Sequence, residues 1–491
     1  MKTYTHYING AFVPALSGEM FDSVDPYSGE VWARIARGSS ADIEVAVTAA
    51  KDAMRGEWGS YNATQRGKLL TRLAELIEDD APRLADIEVR DNGKLMAEMS
   101  AQTQYISEWY RYYGGLADKI QGAVIPTDKS NIFNYTRYEP LGVVGMITPW
   151  NSPLLLLTWK LAPALAAGNT AVIKPSEFTS ASTVTFMELF ERAGFPAGVV
   201  NTVTGFGADV GAPLVSHKDV AKVAFTGSDI SGQKIYESAA RDIKKVTLEL
   251  GGKSPNIVFA DADIEAAVMG AISGIFAATG QTCIAGSRLL LQDTIHDEFV
   301  ERLVDVAGRA KIGDPKSSDT HVGPITTRPQ FEKILDYIDI AKKEGATCVL
   351  GGRPYTGPGA KGGQFVEPTI FTGVRNDMRI AQEEIFGPVL GVIPFVDEEE
   401  AIQIANDIDF GLAAGVWTSD IGRSFRMSEK LEVGTVWVNT YRAVSYTSPF
   451  GGYKRSGLGR ENGVDAIYDY LQVKSVWVAT ETSARNPFVI G

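Results

Sequence analysis

The chain of 491 residues contains little cysteine and little histidine. It has two cysteines, Cys283 and Cys348, and four histidines. Two cysteines cannot cross-link a chain of this length, which excludes a disulfide-stapled secreted domain and indicates a reducing compartment. No histidine stands at metal-binding spacing from a second ligand, so we predict neither a zinc site nor a histidine-based catalytic triad.

Basic runs and long apolar runs are also missing. The net charge is −13, which argues against a nucleic-acid or anionic-membrane surface. The most apolar stretch, Pro153 to Ala167, contains a lysine and two prolines and falls short of a membrane span. The first residues, MKTYTHYINGAFVPA, lack the apolar core of a signal peptide. These absences predict a cytoplasmic protein without nucleic-acid or membrane partners.

Strand-like and helix-like segments alternate from about Gly142, and a second such block begins near Ser254. This alternation is typical of an α/β fold with mainly parallel sheets. Two extended segments, Asp118–Pro140 and Leu471–Thr480, interrupt the pattern. They predict a small β flap that reaches toward a partner subunit.

Cys283 lies in AATGQTCIAGSR, directly after the helical-looking run ADIEAAVMGAISGIFAATG. The neighbouring small residues would leave its sulfur open to a substrate. A thiol is well suited to attack a carbonyl near neutral pH once its proton is withdrawn. The alternative is a buried structural cysteine. Cys348, in GATCVLGG, is predicted to be a strand residue.

Two polar residues at strand ends are candidates for the same chemistry. Glu249 ends an apolar strand in LELGG, where partial desolvation would raise its pKa toward that of a general base. Asn151 stands between two prolines in PWNSP, and its amide could donate to a developing oxyanion. The alternatives are an edge-strand carboxylate facing water and an ordinary turn asparagine.

A nucleotide site is indicated at two further strand ends. The strand VAKVAF leads into Gly227 and Ser228, and free amides at the following helix start suit a pyrophosphate. Lys174 and Glu177 follow the strand TAVI, where they could bind ribose hydroxyls. Both segments could instead be ordinary surface turns. GFGADVG has the wrong glycine spacing for a dinucleotide fingerprint.

Together these segments resemble the aldehyde dehydrogenase superfamily, over nearly the whole chain and in the family's order. The segments that carry the resemblance are YINGAFVPA, DPYSGE, PWNSP, KPSE, FTGS, LELGGKSP, GQTCIAGSR, EEIFGP and SPFGGYKRSG. The resemblance implies a Rossmann-like NAD-binding domain (1–117 and 141–250), an α/β catalytic domain (251–452) and a β oligomerisation flap (118–140 and 470–491). It also implies NAD as cofactor, an aldehyde substrate and a homodimer or homotetramer.

The resemblance also assigns roles. Cys283 would be the nucleophile and Glu249 the general base; Asn151 and the Cys283 N–H would form the oxyanion hole, and Lys160 would assist Glu249. The implied cofactor contacts are Trp150, Lys174, Glu177, Gly227, Ser228, Leu250, Glu384 and Phe386. Glu249 favours hydrolysis over transfer to coenzyme A. The competing interpretations are a catalytically inactive structural relative and an esterase that uses the same thiol.

The predicted substrate pocket is mostly apolar. Its walls are Ser152, Leu156, Trp159, Ile284, Arg442, Val444 and Phe450. Because Ser152 stands where many relatives carry an aromatic residue, we predict a medium, bulky or aromatic aldehyde. Arg442 leaves an alternative open, since an inward-facing guanidinium could bind the carboxylate of a semialdehyde. A solvated loop arginine is the other possibility. Asp229, two positions after Gly227, departs from the family pattern and could cap the helix or alter contacts near the adenine.

Overall fold

The computed structural model describes residues 1–481 and residue 488. The strands are β1 Lys2–Tyr4, β2 His6–Ile8, β3 Ala11–Val13, β4 Met20–Val24, β5 Val31–Ala36, β6 Val124–Ile125, β7 Ile132–Pro140, β8 Val143–Ile147, β9 Thr170–Lys174, β10 Val200–Thr202, β11 Val220–Thr226, β12 Lys245–Glu249, β13 Pro255–Val258, β14 Arg288–Gln292, β15 Thr347–Leu350, β16 Thr369–Thr372, β17 Val389–Phe395, β18 Phe410–Gly411, β19 Ala413–Trp417, β20 Thr435–Val438, β21 Tyr453–Lys454, β22 Gly457–Leu458 and β23 Leu471–Ala479. The α-helices are α1 Ser40–Arg55, α2 Glu57–Ser60, α3 Ala63–Asn92, α4 Met96–Leu116, α5 Pro153–Ala166, α6 Ala181–Phe186, α7 Glu188–Ala193, α8 Ala212–Ser216, α9 Asp229–Ala240, α10 Ile264–Phe276, α11 His296–Gly308, α12 Arg328–Lys343, α13 Arg379–Gln382, α14 Glu398–Asn406 and α15 Ile421–Lys430.

The first large sheet has the order β22-β12-β11-β8-β9-β10-β2-β3. Its strands from β12 to β10 are parallel, and antiparallel strands flank them on both sides. Every residue of β8 and β9 is buried, as expected for parallel strands covered on both faces. Helix α5 packs beside them with almost all of its residues buried. No helix in the described ranges is long and apolar enough to cross a membrane.

The second large sheet has the order β15-β16-β17-β14-β13-β19-β20. It is parallel except for β15, which pairs antiparallel with β16 at one edge. Cys348 lies in β15, as predicted. The core beside this second sheet contains aliphatic and aromatic side chains of the strands and of α12 and α14.

The parallel topology gathers the candidate residues of the first sheet. Asn151, Gly227 and Glu249 follow or end β8, β11 and β12, and carboxyl ends of neighbouring parallel strands meet at one edge of a sheet. Cys283 reaches this edge from the loop after α10. That helix ends at Phe276, before the predicted end at Gly280, because Ala278 and Thr279 have positive φ angles of 54°.

The flap is a sheet of order β23-β7-β6. Strand β23 pairs antiparallel with β7 along its whole length, from Leu471 opposite Pro140 to Ala479 opposite Ile132. Several of its large apolar side chains are exposed, among them Val124, Phe133, Val473 and Trp477. Residues 482–487 and 489–491 of the predicted C-terminal segment lie outside the described residues. The domain boundaries and the homo-oligomer stay predictions.

Candidate active site

Cys283 lies where two cavities meet. A cavity of about 670 Å³ opens on one side of it, and a narrower cleft opens on another. Asn151, Leu156 and Cys283 line both. The volume of the larger cavity is in the range of small-molecule sites. Two reactants could therefore approach the same sulfur from different directions.

The surroundings of Cys283 disfavour its thiolate form. Burial raises the pKa of Cys283 to about 12, the carboxylates of Glu384 and Glu249 add to this rise, and the Lys94 ammonium opposes it. The thiolate, not the thiol, is the nucleophilic form. Attack on a carbonyl therefore requires additional positive charge near the sulfur or a base that removes its proton.

Asn151 is fixed to the loop that carries Cys283. Its side chain is 5% exposed, and Nδ2 donates to the carbonyl oxygen of Gln281 at 3.1 Å. An amide nitrogen has two hydrogens, so one remains to be donated to a substrate oxygen. This buried arrangement differs from that of an ordinary turn asparagine and suits an oxyanion donor.

Glu249 is buried, and both of its carboxylate oxygens remain available to accept hydrogen bonds. Strand β12 lies between β11 and β22, so Glu249 is not on an edge strand. Neither carboxylate oxygen has a hydrogen-bond partner in the described part of the chain. Burial raises the pKa of Glu249 well above its ordinary value, the Glu461 carboxylate adds to the rise, and Lys160 opposes it. A base with a raised pKa therefore lies within electrostatic reach of Cys283.

Lys160 and Glu461 form a buried ion pair beside this base. Lys160 is completely buried on α5; its Nζ donates to Thr226 Oγ1 at 2.6 Å and to Glu461 Oε1. Glu461 is a residue that the sequence analysis missed. It follows the glycine-rich segment SPFGGYKRSGLGR, where no apolar frame indicates that it is buried. The pair sets the charge around Glu249.

The narrow cleft contains most of the predicted cofactor contacts. The predicted cofactor contacts that line it are Trp150, Gly227, Ser228, Leu250, Glu384 and Phe386. The Glu384 carboxylate accepts a hydrogen bond from Gly252 N at 3.0 Å. A Cβ at Gly251 would come within 2.7 Å of Glu384 Oε2. The glycine pair of LELGG therefore makes room for this carboxylate.

Gln330 and Lys333 also line the cleft, and the sequence analysis missed both. They lie in the first turns of α12, which begins at Arg328. Their segment, RPQFEKILDY, looks like an ordinary amphipathic helix, so the sequence alone gives no signal for them.

The residues of the cleft fit a dinucleotide. Ser228 caps α9, and the first amides of a helix lack intrahelical acceptors and favour phosphate. Lys333 and Glu384 offer charged groups to ribose hydroxyls. Trp150 and Phe386 touch edge to face, with ring centroids 5.2 Å apart, and offer apolar surface to a nicotinamide ring. Phe386 has a positive φ of 61°, a strained conformation of the kind that clusters at ligand sites.

The remaining two predicted cofactor contacts lie outside this cleft. Lys174 and Glu177 form an ion pair at the end of β9, with Nζ 2.8 Å from Oε2. Glu177 lines a separate cavity together with Phe178 and Thr327. Their ribose contact stays a prediction. Asp229 is the first residue of α9 and accepts a hydrogen bond from Arg455 Nη2 at 2.6 Å.

All predicted substrate-pocket residues line the larger cavity. They are Ser152, Leu156, Trp159, Ile284, Arg442, Val444 and Phe450. Trp159 contacts Phe450 edge to face at a centroid distance of 5.1 Å and stacks on Trp109 at 6.2 Å. Arg442 is only partly exposed, and Nη1 donates to the carbonyl oxygen of Ser273 at 3.3 Å. It is therefore not a freely solvated loop arginine.

Lys94 is a further lining residue that the sequence analysis missed. It is 4% exposed, and its Nζ donates to Ser152 Oγ at 2.9 Å. Burial lowers the pKa of Lys94 to about 8. The residue follows Gly93, whose positive φ of 76° ends α3, so its segment DNGKLM looks like a solvated helix end.

Comparison with known proteins gives matches over nearly the whole chain. The profile described as "Aldehyde dehydrogenase family" matches residues 12–476. An aldehyde dehydrogenase of Emericella nidulans is 47% identical over 471 residues, covering 96% of this chain and 94% of that protein. The (Z)-2-((N-methylformamido)methylene)-5-hydroxybutyrolactone dehydrogenase of Acinetobacter baylyi is 46% identical, with 100% of both chains covered. The structure of betaine aldehyde dehydrogenase from Staphylococcus aureus in complex with NAD+ has a TM-score of 0.98 at 41% identity, covering 99% of this chain and 97% of that one.

Proposed function

This chain belongs to the aldehyde dehydrogenase family, and from that premise we propose that it oxidises an aldehyde to a carboxylic acid with NAD+. Cys283 is the nucleophile and Glu249 the general base. The observation that carries the proposal is the position of Cys283 at the junction of the large cavity and the cleft that contains most of the predicted cofactor contacts. The aldehyde occupies the cavity, and Trp150, Ser228, Lys333, Glu384 and Phe386 hold NAD+ in the cleft.

The first half of the reaction forms a thioester on Cys283. The Cys283 thiol first loses its proton to water, and Sγ then bonds to the aldehyde carbon. The former carbonyl oxygen accepts hydrogen bonds from Asn151 Nδ2 and Cys283 N, which stabilise its negative charge. When bound, NAD+ supplies positive charge that favours the thiolate and accepts the hydride that leaves the aldehyde carbon. The carbon, now oxidised by two electrons, remains bonded to Sγ.

The second half releases the acid. Glu249 removes a proton from water, the oxygen of that water attacks the thioester carbon, and the carbon–sulfur bond breaks. The products are the carboxylic acid and the regenerated Cys283 sulfur. The Lys160–Glu461 pair lies beside Glu249 and provides a route by which its proton can leave.

The walls of the cavity favour a medium, bulky or aromatic aldehyde. Trp159, Phe450, Leu156 and Val444 present apolar surface, and Ser152 leaves space beside them. Betaine aldehyde is expected to be a poor substrate, because its quaternary ammonium would meet the cations of Lys94 and Arg442 on the same walls.

A panel of aldehydes tests the proposal. NADH formation is measured with benzaldehyde, hexanal, acetaldehyde, betaine aldehyde and succinic semialdehyde. We expect kcat/KM to be lowest for acetaldehyde and betaine aldehyde. The highest kcat/KM with acetaldehyde would contradict the bulky pocket, and turnover of aldehydes without NAD+ would contradict the dehydrogenase mechanism.

A carboxylate-bearing aldehyde is the second candidate substrate, because Arg442 lines the cavity. The Acinetobacter baylyi relative, which matches this chain over its full length, is named for a 5-hydroxybutyrolactone. A 5-hydroxybutyrolactone ring is the closed form of a chain that carries an aldehyde and a carboxylic acid. High activity with succinic semialdehyde that is lost in Arg442→Ala would favour this candidate.

NAD+ is expected to be preferred over NADP+. Glu177 follows β9 and is held in place by Lys174; it would accept hydrogen bonds from the 2′-hydroxyl of the adenosine ribose and repel a 2′-phosphate. The measurement is kcat/KM for both cofactors in wild type and in Glu177→Gln. We expect the ratio of kcat/KM with NAD+ to kcat/KM with NADP+ to be smaller in Glu177→Gln than in wild type. Equal or better use of NADP+ by wild type would contradict this role of Glu177.

A further inference from the structure

We propose that Lys94 is a specificity-determining residue that binds an anionic group of the substrate, so that the preferred substrates are bulky or aromatic aldehydes that also carry a carboxylate. The inference rests on the proposed function, because it assigns a substrate class to the same cavity. It concerns a side chain that the catalytic steps above do not use.

The first argument is the unsatisfied hydrogen-bonding capacity of Lys94. An ammonium group has three donors, and Nζ uses one of them on Ser152 Oγ. No carboxylate in the described ranges lies within 4.0 Å of Nζ. A buried ammonium without a counter-ion is costly, so the site favours a ligand that brings a negative charge.

The second argument is that Glu98 and Glu88 each use one carboxylate oxygen on a backbone N–H, and neither uses its other oxygen on Lys94. Glu98 Oε1 accepts from Ala278 N at 2.7 Å, and Glu88 Oε1 accepts from Leu154 N at 3.0 Å. Both affect the charge of Lys94 only at longer range. They therefore stabilise the ammonium without occupying its free donors.

The third argument is the charge of the rest of the cavity. Arg442 lies on another wall and is also without an ion-pair partner among the residues described. Its Nη1 donates a hydrogen bond to the Ser273 carbonyl oxygen. The acidic lining residues Glu78 and Glu108 both pair with Arg111. Among the charged residues that line this cavity, those without an ion-pair partner in the described part of the chain are therefore positive.

Ser152 connects Lys94 to the reacting end of the cavity. It directly follows Asn151 in sequence and lines the same cavity as Cys283. An aromatic side chain at this position would fill the space that the hydroxyl leaves open. A substrate carboxylate can therefore reach Lys94 or displace its contact with Ser152, while the aldehyde carbon remains near Cys283.

The test uses pairs of aldehydes that differ in charge but little in shape. The probes are 3- and 4-formylbenzoate and the matching 3- and 4-formylbenzamides, assayed by NADH formation. We expect wild type to prefer at least one formylbenzoate over its amide by about 10- to 100-fold in kcat/KM, the range of a charge-assisted hydrogen bond. In Lys94→Met this preference disappears, mainly through KM. Any change in kcat from the loss of positive charge near Cys283 is shared by the benzoates and the amides and does not alter their ratio.

Two variants separate recognition from folding. Lys94→Arg keeps the charge and should retain part of the preference, and Lys218→Met, at a side chain that is 81% exposed, should retain all of it. An unchanged preference in Lys94→Met, equal loss with benzoates and benzamides, or no preference in wild type would overturn the inference. Absence of NADH formation with any aldehyde, hexanal included, would instead overturn the proposed function.

The preference should also depend on pH. Burial and the Arg442 charge lower the pKa of Lys94 to about 8, while Glu98, Glu88 and the Cys283 sulfur oppose the fall. The ammonium is present below that pKa and lost above it, so the benzoate-to-benzamide ratio of kcat/KM should fall as pH rises through about 8. Titration of Cys283 and Glu249 affects both substrates and cancels in the ratio. In Lys94→Arg the ratio should not fall, because arginine stays charged; a wild-type ratio independent of pH would contradict the assignment.

Discussion

Replacement of Cys283 by alanine is expected to reduce NADH formation from every aldehyde by roughly 10⁴-fold or more, the scale seen when a covalent nucleophile is removed. The physical reason is its position. Cys283 Sγ lies at the junction of the cavity and the cleft, and in the proposed mechanism no covalent intermediate forms without it. The measurement is steady-state turnover with the best aldehyde of the panel.

Cys348 provides the matched control. It lies in β15 at the edge of the second sheet, and its Sγ donates to the Leu350 carbonyl at 3.2 Å. It lines neither the cavity nor the cleft, so Cys348→Ala should retain most of the activity. A Cys283→Ala protein that is folded and still turns over would show that oxidation proceeds without a thioester on this residue.

The fold class could be predicted from the sequence, and the comparisons confirm it. Buried parallel strands are short apolar runs, and the motifs PWNSP, FTGS and LELGG directly follow or end such runs. The topology then brings their residues together at one sheet edge. The approach of Cys283 from the other α/β block could be predicted only from the resemblance, because no local pattern specifies which loop meets that edge.

The buried residues Lys94 and Glu461 and the partly buried Lys333 could not be predicted, because their positions depend on distant parts of the chain. Lys94 reaches Ser152 across 58 positions, and Lys160 reaches Glu461 across 301. In the sequence each charge stands in a polar or glycine-rich context that is typical of the surface. The segment that follows the early end of α10 is also held by distant residues, since Ala278 N donates to Glu98 Oε1 at 2.7 Å and Gly280 packs closely against the Gly387 carbonyl.

Glu249→Gln is expected to separate the two halves of the reaction. Glutamine has nearly the shape of glutamate but cannot accept a proton from water at neutral pH, so the thioester forms and is not hydrolysed. The stopped-flow result should be a burst of about one NADH per active site, followed by a much slower phase. Acid quench should then yield protein carrying the acyl group on Cys283.

The pH dependence of turnover identifies which residue acts as the general base. Because burial raises the pKa of Glu249 well above its ordinary value, the ionised base is lost as pH falls through that raised pKa, and wild-type turnover should fall with it. Glu461→Gln removes a neighbouring negative charge that raises the pKa of Glu249. In that variant the fall in turnover should therefore occur at lower pH than in wild type, although loss of the Lys160–Glu461 pair lowers its maximal rate. Glu249→Gln should lose this pH-dependent step altogether. Normal steady-state turnover in Glu249→Gln, without a burst, would assign the activation of water to another residue.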